Sequence, residues 1–308
     1  MSRASISRPR RLTIRQREAI AGVLIASPWM FGVLVFVAGP IIASAVLSLT
    51  SWNILTPPRW IGLANYGEAL ANGSLTRYSL LITTEYAFFA VPLQIICGLF
   101  LALMLNQKIR LRSVFRTVYY LPSVLSGVAV AILWEWLFNT QFGMINIVLR
   151  SIGIPGPGWL TRGAWVIPAF VLMSVGQVGG SMLINLAGLQ GIPTDLYEAA
   201  VVDGATGPRS FLAITLPMMS PVLLFNTIMG VIAALQVFTF PYVMTGGGPH
   251  NASMFVMLIL YQNAFNFFKM GYASALAWIL FVYIMALTLL VIRSSGAWVY
   301  YESSLKGR

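Results

Sequence analysis

Residues 195–221 read DLYEAAVVDGATGPRSFLAITLPMMSP. The stretch lies between two long apolar segments, yet it holds Asp195, Glu198, Asp203 and Arg209 together with three prolines and two glycines. These are four of the few charges in a chain that is 58% hydrophobic and 9% charged over 308 residues. A soluble domain is about 45–50% apolar and about 25% charged, so the solvent implied here is the bilayer. Local signals give the stretch a shape. Pro193 closes the preceding segment, Thr194 is the expected N-cap, and Asp195 and Glu198 favour the positive end of a helix. Gly204 supplies a left-handed C-cap, and Gly207-Pro208 opens a second short helix that should end near Ile214-Thr215-Leu216-Pro217. The expectation is a helix–turn–helix under the membrane. Ala199 and Ala200 leave the surface beside Glu198 narrow, which suits insertion into a groove on another protein; the plainer reading is a solvated connector.

Outward from this loop, six apolar stretches reach the roughly 20 residues that a crossing helix needs: 19–49, 80–105, 117–138, 164–190, 219–243 and 273–293. The first is over-long and contains Pro28, Gly39 and Pro40, which predicts a tilt, a kink or a short entry helix. It is also too long for a cleavable leader and reads as an uncleaved span. With the N-terminus inside, fourteen of the nineteen lysines and arginines fall on the cytoplasmic side. The basic tail 1–18, the segment with Lys108, Arg110, Arg112 and Arg116, the loop 191–218 and the tail 294–308 then all face the cytoplasm. The expected fold is an all-α polytopic membrane bundle of six helices, with residues 19–293 as one membrane domain. The net charge of +11 arises from short clusters beside apolar segments, a placement that suits lipid headgroups rather than nucleic acid.

The spelling of the central loop adds a resemblance. Glu198-Ala199-Ala200, Gly204 and Ile214-Thr215-Leu216-Pro217 match the EAA signature of ABC importer permeases, with Asp203 inside it. "WIGLANYGEAL", "RTVYYLPSVLSGVAVAILWEWLF" and "VMTGGGPHNAS" are similar to carbohydrate permeases of the MalF-like or UgpA-like kind. The resemblance covers about residues 20–295. It implies half of a sugar path in a bacterial or archaeal plasma membrane. It also implies a second, MalG-like permease, two copies of a cytoplasmic ABC ATPase and an extracytoplasmic solute-binding protein. Glu198, Ala199, Ala200, Asp203, Gly204, Ile214, Leu216 and Pro217 then carry ATPase coupling. Disaccharides, oligosaccharides and glycerol phosphodiesters all remain open as solutes.

A sugar path needs hydrogen-bonding and aromatic side chains with few charges. Asn226, Gly230, Ala233, Ala234, Val237 and Pro241 recur at helical spacing in the fifth span, with Gln236 alongside and Tyr242 near the outer end. Gln177 is a further candidate in the fourth span. The competing reading for the small residues is close helix packing. Glu85 and Glu135 lie near span ends, so a structural role is expected for both. An ion-coupled secondary carrier is the alternative function, but it usually needs a central ionisable group. One cysteine, Cys97, and one histidine, His250, offer no metal cluster, and no cofactor is expected. No P-loop spelling is present, so ATP hydrolysis is expected on another polypeptide.

Overall fold

The computed structural model describes residues 13–71, 73–107 and 110–300. Residues 1–12, Lys108 and residues 301–308, parts of the segments expected to face the cytoplasm, lie outside the described residues. Helix α1 (Ile14–Gly32) passes through a π-helical turn, Val33–Ala38, into α2 (Gly39–Ser48). A short antiparallel ribbon comes next, β1 (Thr50–Ser51) with β2 (Arg59–Trp60), then α3 (Ala64–Leu70) and α4 (Leu75–Asn106). Beyond it lie α5 (Arg112–Val124), α6 (Gly127–Leu137), α7 (Met144–Ser151), α8 (Gly163–Val175) and α9 (Gly179–Gln190). The central loop forms α10 (Thr194–Val202) and α11 (Gly207–Ser210), which a π turn, Phe211–Thr215, joins to α12 (Leu216–Leu235). A π turn at Pro241–Thr245, α13 (Val256–Tyr261), another at Gln262–Asn266 and α14 (Met270–Ser295) complete the chain.

Two of the π turns have a cause legible in the sequence. Pro40 and Pro217 lack an N–H, and each ring would press on the carbonyl four residues earlier. The chain widens by one residue just before each. Gly39 N–H donates to Leu34 O, and Leu216 N–H donates to Phe211 O, both five residues back. Neither proline therefore ends its helix. This corrects the expected stop near Leu216-Pro217: Gly207–Leu235 is one helical stretch of 29 residues.

The six expected spans are of two kinds. Among the described residues, four stretches are long and apolar enough to cross alone: Ile20–Ser48, Leu75–Asn106, Gly207–Leu235 and Met270–Ser295. The other two expected spans are bent pairs, α5–α6 by 100° and α8–α9 by 46°. At the first bend Leu125 is extended (φ −70°, ψ 152°) and Ser126 lies outside both helices. Pro122 has already removed a backbone donor from the last turn of α5. At the second bend Gly176 and Gln177 N–H groups bond three residues back, to Met173 and Ser174, a tightened turn. The ribbon is a further departure from the purely helical expectation. Buried Asn65 holds it in place, donating to Ser48 O (2.8 Å) and Thr50 O (2.9 Å).

α4 is the central post, packed by α8, α9 and α12. Ala90, Val166, Phe170, Met173 and Leu235 fill one part of the core, and Ala102, Met182, Leu186 and Met219 another. Small residues set the spacing. A Cβ on Gly179 would lie 2.5 Å from Tyr119 O and 2.9 Å from Tyr120 Cα, so α9 starts directly against the α5 backbone. Its neighbour Gly180 faces open space. Between α9 and α12, Asn226 Nδ2 donates to Asn185 Oδ1 at 2.8 Å, and both residues are buried. Asn185 Nδ2 has no partner among the described residues.

Gly179→Ala should destabilise the chain by about 1–3 kcal/mol, because backbone atoms on α5 cannot swing aside. Gly180→Ala should be neutral, and equal melting temperatures for the two in detergent would refute the close approach. Asn226→Leu should cost about 0.6–1.7 kcal/mol, the range for polar pairs inside membrane proteins. An unchanged melting temperature for that variant would mean that the Asn185–Asn226 bond contributes nothing.

Candidate functional site

The hairpin at residues 194–215 has a defined build. Pro193, not Thr194 as expected, is the N-cap of α10, and Thr194 is its first helical residue. Asp195 sits in the first turn, where the helix dipole favours it. At the other end Gly204 N–H donates to Val201 O (3.0 Å) and Ala205 N–H to Ala200 O (2.9 Å). These two bonds are the Schellman pair, and they need a left-handed residue between them. Gly204 provides it at φ +72°. Thr206 caps the following helix, and Pro208 stands in its first turn, where a missing N–H costs nothing.

Tertiary contacts pin the hairpin. Tyr197 Oη and Thr215 Oγ1 share a hydrogen bond of 2.9 Å that ties α10 to the π turn before α12. Tyr197, Ile214 and Leu216 pack against the cluster containing Leu189, Ile192 and Met219. Ile214 and Leu216 thus help to anchor the hairpin, and they and Pro217 are half-buried. The outward residues are Glu198, Ala199, Asp203 and Gly204, with Ala200 half-buried. Beside them Leu196, Val201, Val202 and Leu212 are also exposed, Val202 at 87%. The hairpin thus exposes apolar side chains and the acids Glu198 and Asp203 together. The sequence reading missed Tyr197 and Thr215, since nothing in their spacing marks a bond between residues 18 apart.

The expected path residues divide between two faces of α12. Asn226 bonds Asn185, a Cβ on Gly230 would meet Val91 Cγ1 at 3.1 Å, Ala234 is in the core and Val237 packs against it. This face is turned into the chain, as small residues favour where membrane helices approach closely. Within this chain, packing accounts for the placement of these four residues. Phe225, Met229, Ala233 and Gln236 form the exposed face instead. Gln177 is half-buried within the α8–α9 bend. Tyr242 is exposed and belongs to an aromatic group beyond Gln236. It stacks on Phe238 (ring centroids 5.1 Å, interplanar 17°) and meets Tyr261 at 5.2 Å, which meets Phe265 at 5.1 Å.

The loop between α6 and α8 is braced by buried Asn146. It accepts from Trp159 Nε1 at 2.8 Å and donates to Pro157 O at 3.1 Å. Glu135 and Glu85 are both exposed. Glu135 edges an open recess of about 520 Å³ with Asn139, Thr161 and Thr245. Among the described residues no group of His, Cys, Asp and Glu could hold a metal ion.

Residues 94–301 match the family described as binding-protein-dependent transport system inner membrane component. The chain is 40% identical over 292 residues to the probable ABC transporter permease protein YesP of Bacillus subtilis, covering 94% of each chain. It is 35% identical over 282 residues to the trehalose/maltose transport system permease protein MalF of Thermococcus litoralis, covering 91% of this chain and 95% of that one. A solved chain from a bacterial ABC transporter involved in the import of the acidic polysaccharide alginate shares the fold. Its TM-score is 0.78 at 22% identity, over 92% of this chain and 99% of that one. This chain is accordingly a permease subunit rather than an enzyme, and it belongs to the binding-protein-dependent transport system inner membrane component family.

Proposed function

We propose that this chain is one of two permease subunits in an ABC importer for a sugar or sugar-like solute, in a bacterial or archaeal plasma membrane. It crosses the membrane six times with both termini inside, each bent pair counting as one span. A second, MalG-like permease completes the path, two copies of a separate ATPase bind the hairpin, and an extracytoplasmic binding protein delivers solute. The observation that carries this reading is the α10–α11 hairpin. It is held firmly from inside by the Tyr197–Thr215 bond, while it exposes Glu198, Val201, Val202 and Asp203 outward. A connector with no partner has little reason to combine rigid anchoring with an exposed apolar surface. Relatives support the solute class, since the Thermococcus litoralis protein is a trehalose/maltose permease and one in Agrobacterium fabrum is a sulfoquinovosyl glycerol permease. No observation favours an ion-coupled carrier.

In this assembly Glu198 meets a basic or hydrogen-bonding group in the ATPase cleft, and Gly204 holds the turn that orients it. Motion of the cleft passes through α10 and the Tyr197–Thr215 bond to α12, whose exposed face and outer aromatic group flank the path. Gln236, Tyr242 and, in the bend, Gln177 are the solute-facing candidates.

Solubilised wild-type chain should retain a P-loop ATPase and a second permease. Glu198→Ala/Gly204→Val should lose ATPase binding on the order of tenfold, equivalent to about 1.4 kcal/mol, and keep the permease. A chain that purifies alone and still moves solute in liposomes would overturn the assembly. Gln236→Ala and Tyr242→Ala should each reduce solute uptake roughly fivefold to tenfold, the loss expected for one hydrogen bond or ring contact. Unchanged uptake by both variants would remove the outer face of α12 from the path.

A further inference from the structure

The first turns of α5 concentrate positive charge with nothing among the described residues to balance it. Arg112 is the first residue of the helix and Arg116 lies one turn on. Acids, not arginines, suit a helix N-terminus, because the unpaired N–H groups there already carry partial positive charge. α5 has no acid in its first turn and no side-chain cap. With the Gln190 amide turned so that its oxygen faces the arginines, Oε1 accepts from Arg112 Nη2 at 2.9 Å and from Arg116 Nη2 at 3.1 Å. One neutral oxygen therefore holds two guanidiniums together. Both Nε atoms are buried, and neither has a hydrogen-bond partner among the described residues. Two like charges at this separation, partly desolvated, strongly favour an added anion. The preceding Leu111 is left-handed at φ +63°, an uncommon and costly state for leucine, so this placement of Arg112 is maintained against strain.

The surroundings indicate which anion. α5 lies at 100° to the apolar helix α6, and Val114, Phe115 and Val118 on it are exposed. A helix that begins on basic residues and continues into an apolar face starts at the headgroup level, with its arginines among the headgroups and its later turns toward the acyl chains. Basic sites between membrane helices on the cytoplasmic side take the headgroups of anionic lipids. We propose that Arg112 and Arg116, gathered by Gln190, bind the phosphate of an anionic lipid in the cytoplasmic leaflet. The leaflet assignment rests on the orientation given under Proposed function. The site has a route to the hairpin, because Gln190 ends α9 just before Pro193 caps α10. Bound lipid relieves the repulsion between the arginines and steadies the base on which the hairpin stands.

The test uses the full chain in detergent micelles, with lipid retention read by native mass spectrometry. Phosphatidylglycerol and phosphatidylcholine are the probes, and inorganic phosphate is the soluble competitor. Wild type should hold one phosphatidylglycerol on the order of tenfold more tightly than phosphatidylcholine, and excess inorganic phosphate should not displace it. Arg112→Gln/Arg116→Gln should abolish the preference, Arg112→Lys/Arg116→Lys should keep part of it, and Arg209→Gln should leave it intact. The Lys variant and the melting temperatures together separate a lost site from a lost fold. Equal retention of the two lipids by wild type, or full retention by the Gln variant, overturns the proposal. Displacement by inorganic phosphate overturns the lipid source and makes this a soluble-anion site. No ATPase is present, and Glu198→Ala/Gly204→Val should retain the lipid, so failure here and failure of the coupling reading are distinguishable.

Discussion

A peptide group inside hydrocarbon must find its hydrogen-bond partner within its own segment, because no water is there to supply one. Most of this architecture comes from meeting that condition in a chain with sixteen prolines. At Pro40 and Pro217 the helix widens by one residue and continues, so two long stretches stay intact. At the α5–α6 junction the helix stops, and the chain turns through 100°. The same residue type thus gives a bulge in one place and a sharp bend in another. The difference lies in the neighbouring backbone. Leu216, just before Pro217, stays helical, whereas Leu125, three residues beyond Pro122, is extended.

Gly207–Leu235 is continuous across the hairpin's second arm. The second arm of the hairpin is not a separate short helix but the beginning of the helix whose far end is capped by Gln236. No break in the helix separates the hairpin from the rest of that stretch. Tyr197 bonds the first arm to this stretch at Thr215, so the two arms are joined by a side-chain bond as well as by the turn. Buried anchors and exposed apolar residues are divided cleanly within one hairpin. Ile214 and Leu216 face the core, and Val201 and Val202 face outward.

Some of this was legible from the residues. The left-handed Gly204, the restart at Gly207-Pro208 and the acid in the first turn of α10 are each visible locally, because caps and turns depend on residues next to one another. The long apolar segments were legible too, since span length is set by bilayer thickness. The face of α12 was not. The Asn226–Gly230–Ala234–Val237 periodicity fits a solute path and a packing seam equally well, and only the positions of α4 and α9 distinguish them. The Arg112–Arg116–Gln190 cluster was hidden for the same reason, with Gln190 far from both arginines in sequence and adjacent in space.

The sequence by itself determined a helical membrane chain, the location of its polar hairpin and the residues able to cap and turn it. These features are local or compositional: they depend on a residue's own backbone preferences or on summed hydrophobicity along a segment. Tertiary structure alone decided which side of each helix faces inward, where two expected spans bend and which distant polar atoms meet. In lipid an apolar side chain is nearly as well solvated outside the bundle as inside it, so hydrophobic pattern carries little information about facing. Close backbone approach and scarce buried hydrogen bonds settle it instead. Gly179 against Tyr119 and Asn185 against Asn226 exist only once the helices have packed.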